Sequence, residues 1–362
     1  MPEEKKETEL STVVSKLITY SVLSAPMGYL IAEDGFRNRA QLNVLIVSSF
    51  GSGKSSAFDK LEDLGLGYIV QDYTAPAVLG SIRPGGKIIR SVLIHAANRA
   101  FIIDEFQKFP TKVRNALLNF MEKHWYRRPL GFKVDEKVEE KGDGWEIIAE
   151  GNVLQTYVKC SYICGAMYFK KKTTDEEALL SRCFPVVLTM TKEEAYELFM
   201  GYERIKIDSK LVRLVEHLKG IDIFVSNKMK ALLVKEFDEA TKGLEVNPGY
   251  VTRMLWDLTR IAAVKSAIAG YSEVVEDYIY EAVKLAPLQA MGYSKGQLTM
   301  REMEVYSYIV SNPEGVTPQQ IKEETEIPEK TIMEALKKLK SLKLVDKVEA
   351  GKKTIYYPKG VM

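Results

Sequence analysis

The residues best placed to do chemistry are GSGKSS, residues 51–56, which follow the apolar run NVLIV (43–47). A strand, a glycine-containing turn and then a helix form the context in which such a segment cradles phosphate. Gly51 and Gly53 let the backbone bend so that successive N–H groups, those of Ser52 and Ser56 included, converge on phosphate oxygens. A helix starting near Lys54 adds its positive dipole end. Lys54 is then positioned for the β- and γ-phosphates of ATP, and the Ser55 hydroxyl for Mg²⁺. The full pattern has a glycine where this chain has Ser48, so the turn is made without it.

Fifty residues beyond Lys54 the apolar run AFIID (100–104) ends in an acidic pair. Asp104 is the expected Mg²⁺ ligand, directly or through water, and Glu105 the expected general base for an attacking water. Together the two motifs imply a chain that binds Mg²⁺–ATP and hydrolyses it.

These groups need rigid elements behind them. NVLIV, AFIID, CSYICGA (160–166) and PVVLTM (185–190) have the continuous apolar character of buried parallel strands. Helical stretches alternate with them, which predicts an α/β fold with helices on both faces of a parallel sheet. Leu10 to about Leu30 has helical spacing, broken at Pro26 and Gly28. After Thr191 the pattern turns helical through 290, and MGYSKGQ (291–297), with two glycines, is the best linker candidate. The expected organisation is an α/β core over 1–190, an α-helical lid over 191–292 and a winged-helix domain over 298–362.

The winged-helix expectation rests on a run of three helices and two short strands. Thr317 and Pro318 are suited to N-cap and first helical position of the second helix. On the third, Ile332, Leu336 and Leu339 share an inward face. Lys330, Lys337, Lys338 and Lys340 are then free for DNA phosphates, with Lys352 and Lys353 on the wing. Winged helices also serve as protein-interaction modules, and that alternative stays open here.

The bulk numbers set limits. At 362 residues the chain has room for two or three domains. Its 46% hydrophobic and 28% charged residues are ordinary for a globular protein. A net charge of +2 argues neither for nor against nucleic acid, so DNA contact must come from local patches. Cys160, Cys164 and Cys183 fit no paired zinc pattern and are expected to be reduced, buried thiols. The mixed-charge N-terminus and the lack of about 20 consecutive apolar residues predict a soluble, cytoplasmic protein.

Several segments resemble the motor domain of the MCM replicative helicases, a clade of AAA+ ATPases. IDEFQKF (103–109) with ALLNFMEKH (116–124) is similar to their Walker B strand and the helix after it, and the stretch from Tyr73 to Phe106 to their sequence between the Walker motifs. ALLSRCFPVVL (178–188) resembles their arginine-finger motif, and NPGYVTRMLWDLTRIAAVKSAI (247–268) their sensor-2 helix. The resemblance covers roughly 15–290. It implies that Arg182 reaches into the ATP site of a neighbouring subunit, that Arg253 contacts the γ-phosphate, and that the chain forms a ring, expected to be hexameric. A hairpin projecting into the ring's channel is implied for residues 125–157, around the turn EKGDG (140–144). Lys133, Lys137 and Lys141 are its candidate DNA contacts, interleaved with Asp135, Glu136, Glu139 and Glu140.

This chain departs from the family in two respects. Met167 stands where the family's sensor-1 strand ends in Asn, and about forty residues precede the phosphate loop in place of the family's large N-terminal region. The expected activity is a DNA-dependent ATPase acting as helicase or translocase in replication, with other replication proteins as partners. The first alternative is an initiator or loader using ATP as a slow switch, and the second an AAA+ activator that remodels a protein.

Overall fold

The computed structural model describes residues 8–48, 52–70, 73–83, 87–167, 174–188, 195–196, 198, 200–244, 246–350 and 353–359. Gly51 and Lys352 lie outside the described residues, as does the side chain of Lys353.

Helix α1 (Thr8–Ser24) leads into a small hairpin, β1 (Tyr29–Ala32) and β2 (Arg37–Arg39), after which β3 (Val44–Ser48) enters the centre of the molecule. Then follow α2 (Lys54–Asp63), β4 (Gly67–Ile69), α3 (Ala75–Leu79), the short strands β5 (Ser81–Ile82) and β6 (Ile88–Ile89), and β7 (Ala100–Ile103). Next come α4 (Thr111–Lys123), a long ribbon β8 (Trp125–Gly142) and β9 (Trp145–Val158), then β10 (Ser161–Ala166), α5 (Thr174–Leu180) and β11 (Phe184–Leu188).

The main sheet has five strands in the order β11-β3-β10-β7-β4, and every pairing in it is parallel. Each apolar run is buried on two faces because alternate residues serve different cores. Val44, Ile46, Ile102 and Ile163 pack with α1, α2 and the helical region that follows the sheet. Leu45, Val47, Ile103 and Tyr162 pack instead with Val113, Leu117 and Phe120 of α4. All the expected strands are thus present, and the expected α/β layering with them. β4, only three residues long, carried too little signal to be expected.

The helical region comprises α6 (Leu211–His217), α7 (Asn227–Ala240), α8 (Pro248–Ile268), α9 (Glu276–Val283) and α10 (Ala286–Lys295). Ser226 caps α7 by accepting from the Met229 N–H, and Asn247 caps α8 by accepting from Gly249. A strand missed in the sequence, β12 (Ile223–Val225), pairs in parallel with β1, so this region is stitched to the N-terminal hairpin. Across the same junction Arg260 donates to the Arg39 carbonyl and pairs with Asp257 at 2.7 Å, while Gln289 donates to the other Asp257 oxygen at 2.9 Å.

MGYSKGQ is not a linker. Its first five residues finish α10, and a Cβ on Gly292 would sit 2.1 Å from the Pro185 carbonyl oxygen. The glycine is there so that the helix can lie against β11; close backbone approach, rather than flexibility, explains it.

The tail consists of α11 (Met300–Ser311), α12 (Pro318–Thr325), α13 (Glu329–Ser341), β13 (Val345–Ala350) and β14 (Lys353–Pro358). Thr299 and Thr317 each form a reciprocal capping box, with Glu302 and Gln320. Ile332, Leu336 and Leu339 are buried as expected, and β13 pairs antiparallel with β14 as the wing. Among the described residues no helix is long and apolar enough to cross a membrane.

Candidate functional site

β3, β10 and β7 end at the same edge of the sheet, the edge at which open parallel sheets bind ligands. There Gly53, at φ +81°, is the N-cap of α2, so the chain turns into the helix through a left-handed residue that favours glycine. Lys54, 8% exposed, extends back to donate to the Ser48 hydroxyl, which also shares a 2.8 Å hydrogen bond with Ser52. Ser48, the residue that replaces the pattern's glycine, thus holds the lysine. Burial pulls the Lys54 amine below its usual range, and the nearby Asp104 and Glu105 carboxylates oppose the shift.

The Ser55 hydroxyl donates to Asp104 Oδ2 at 3.0 Å. One hydroxyl and one carboxylate at hydrogen-bonding distance are oxygen donors of the kind that hold Mg²⁺ with several of its waters retained. Glu105 is half-buried beside Asp104 and pairs with Lys108 at 3.2 Å. Gly165 of β10 packs so tightly on this corner that a Cβ would lie 2.3 Å from the Asp104 carbonyl oxygen. Gln107, unremarked in the sequence, donates to the Met167 carbonyl at 2.9 Å. Ser56 is exposed on the first turn of α2, and Leu198 and Arg204 come close to Gly53 from the segment before α6.

Of the two arginines that the resemblance assigns to ATP, Arg182 is expected at a neighbouring subunit's site and Arg253 at the γ-phosphate. Arg182 follows α5 and pairs with Glu122 at 2.8 Å, donating also to the Ala178 carbonyl. Arg253 is half-buried on α8, near enough to Asp257 and Tyr293 to influence both electrostatically. No hydrogen bond between described residues joins either arginine to Lys54, Ser55, Asp104 or Glu105.

The β8–β9 ribbon is present, but it does not project its turn. The two strands, 18 and 14 residues long, pair unevenly, with register shifts between Pro129 and Val134 and again between Val134 and Val138. Such bulges bend a ribbon. The turn curls back until the Gly144 carbonyl accepts from the Lys159 N–H at 2.8 Å, directly after β9 ends, and Asp143 pairs with Lys219. A small core of Ile82, Val134, Ile147, Ala149 and Leu154 fills the bend. The outward part is therefore the elbow, residues 131–137 opposite 150–153. Lys133 is exposed there, Lys137 is held by Glu139 at 2.8 Å, and Lys141 lies back near the pinned turn.

On the winged helix, Lys330, Lys337, Lys340 and Lys347 surround a shallow groove of about 480 Å³ floored by Met333, Leu336 and Tyr356. Lys347, not expected from the sequence, lies on β13, the strand that directly follows α13, and pairs with Glu349 at 2.9 Å. Lys338, an expected DNA contact, points the other way. Its ammonium donates to the Gln297 carbonyl at 2.8 Å and to Glu302 at 2.6 Å, tying α13 to the start of α11.

Cys160, Cys164 and Cys183 are buried thiols, and burial pushes Cys160 up to about 12. Among the described residues no group of His, Cys, Asp or Glu could hold a metal ion by itself.

Residues 294–361 match the family described as the sugar-specific transcriptional regulator TrmB. The match covers the tail alone, and it makes that tail similar to a winged-helix DNA-binding domain. Among curated proteins nothing matches the chain.

Proposed function

We propose that the chain is a DNA-engaging ATPase of the AAA+ type, resembling the MCM motor, with ATP and Mg²⁺ at the β3–β7 corner. One observation carries the reading: Lys54 is buried at the loop while Ser55 meets Asp104 at 3.0 Å, joining two motifs fifty residues apart in sequence. In this reading Lys54 neutralises the β- and γ-phosphates, Ser55 and Asp104 hold Mg²⁺, which screens phosphate charge, and Glu105 takes a proton from water. Arg182 then serves a neighbouring copy of the chain in a ring, exchanging Glu122 for that neighbour's γ-phosphate, and Arg253 senses nucleotide from the helical region. DNA meets the lysines around the winged-helix groove and the ribbon elbow, and other replication proteins are candidate partners. An intracellular, soluble setting fits this role.

Steady-state ATP hydrolysis with and without forked DNA tests it, with Lys54→Ala as the blank. Turnover that rises several-fold with DNA and vanishes in the blank supports a motor. ATP that stays bound, with slow turnover indifferent to DNA, overturns the motor. The similarity of the tail to a transcriptional-regulator family favours a second reading on that outcome, an ATP-switched initiator or regulator that sits on DNA.

A further inference from the structure

β10 runs between β3, which ends in the phosphate loop, and β7, which ends in Asp104 and Glu105. Its last residues therefore stand in the gap between phosphate and base. Gly165, Ala166 and Met167 bring no polar side chain to that gap, and at Gly165 there is no room for one.

A polar group arrives from the neighbouring strand's exit. After β7 the chain makes a short 3-10 turn, Phe106–Lys108, anchored by the fully buried Phe106 ring. The turn directs Gln107, half-buried, to the Met167 carbonyl at 2.9 Å. That bond uses one amide proton and fixes the plane of the amide. A second N–H and the Oε1 acceptor are left for a small polar guest.

We propose that Gln107 orients the attacking water in the ATP site, supplying from β7's exit the amide that β10 lacks. The inference rests on the ATPase reading above. Water held by Gln107 Oε1 through one proton presents its other proton to Glu105. Hydrolysis then forms the bond from water oxygen to γ-phosphorus and breaks the bond from γ-phosphorus to the β–γ bridging oxygen. The electron pair leaves with ADP and the water proton passes to Glu105.

The test compares the full chain with Gln107→Ala and with Gln107→Ala/Met167→Asn. Three quantities are read: kcat for ATP, affinity for a non-hydrolysable ATP analogue, and Tm. The expected result is a fall in kcat of about 10²-fold in Gln107→Ala, the scale for removing one preorganised polar contact, with analogue affinity and Tm unchanged. Asn at 167, which returns an amide to the gap from β10 itself, is expected to restore about tenfold of that loss. An unchanged kcat in Gln107→Ala overturns the proposal. So does a joint fall of kcat, affinity and Tm that Met167→Asn does not relieve, which is the signature of a mere strut. Absence of Lys54-dependent turnover in the unmodified chain overturns the ATPase reading itself. Turnover present there and undiminished in Gln107→Ala overturns this inference alone.

Discussion

Lys108 restrains Glu105: its ammonium lies 3.2 Å from the carboxylate, three residues along the turn that leaves β7. The hydrogen bond to Glu105 holds the lysine above its usual range. A carboxylate engaged this way is less free to turn toward a water. Lys108→Ala is expected to raise DNA-free ATP turnover about two- to fivefold, the range open to a solvent-screened ion pair, whereas Lys108→Arg leaves it low. Initial rates at saturating ATP decide it, and a Lys108→Ala rate at or below that of the unmodified chain sinks the idea.

Gly165 and Asp104 are in backbone contact, so an added methyl at 165 has to push β10 and β7 apart at the acidic corner. Gly165→Ala is expected to destabilise the chain by about 1–3 kcal/mol and to raise the Mg²⁺ needed for half-maximal turnover about tenfold, because Asp104 moves off Ser55. Urea unfolding and a Mg²⁺ titration read the two effects separately. Destabilisation with an unaltered Mg²⁺ requirement argues against the proposed role of Asp104 in holding Mg²⁺.

The two neighbouring lysines of α13 have different fates. Lys337→Ala is expected to reduce the slope of log affinity against log salt for duplex DNA by about 1, as for one lost phosphate contact. Lys338→Ala is expected to leave that slope alone and to lower stability by about 1 kcal/mol, since its bonds run to Gln297 and Glu302. Fluorescence anisotropy across a salt series, beside thermal melts, separates them. Equal slope changes from both variants contradict the orientation seen here.

Lys295 lies with its ammonium 5.2 Å from the Tyr306 ring centre, and burial pulls its amine from 10.5 down to about 8. Between about pH 8 and 10.5 the unfolded chain therefore holds a proton that the folded chain has released. Stability contributed at this site rises through that window as pH increases and is lowest below pH 8. Lys295→Met is expected to raise Tm by roughly 2–4 °C at neutral pH and to flatten the alkaline rise. A Tm that falls at neutral pH shows that the ring contact outweighs desolvation.

Much of this arrangement was legible in the sequence because it rests on local patterns. The strands behind Lys54 and Asp104 are unbroken apolar runs, and Thr317–Pro318 is a local helix start that needs no partner. What escaped depends on contacts distant in sequence. Gly292 and Gly296 read as flexibility, since only the approach of Pro185 and Leu180 shows them to be packing sites. Lys338 and Lys337 are equivalent until Glu302 and Gln297 are placed beside one of them. The resemblance and the turn EKGDG led correctly to a hairpin, but neither says anything about bulges, and the bulges decide where its turn goes. Gln107 gave no signal, because its significance lies in the end of a strand sixty residues away.

The pinned ribbon also has a mechanical character of its own. A hairpin rooted only at its base is a cantilever, and a load at its tip bends it freely. With Asp143 and Gly144 fastened at the turn, the β8–β9 ribbon is a beam held at both ends, and a force on its elbow would fall at mid-span. Its elbow yields less to a given force, and that force divides between two footings: the sheet, through α4 and β10, and the helical region, through Lys219. Loss of the Asp143–Lys219 tie therefore removes the footing on the helical region and leaves those at Gly144–Lys159 and Arg90–Glu140 in place.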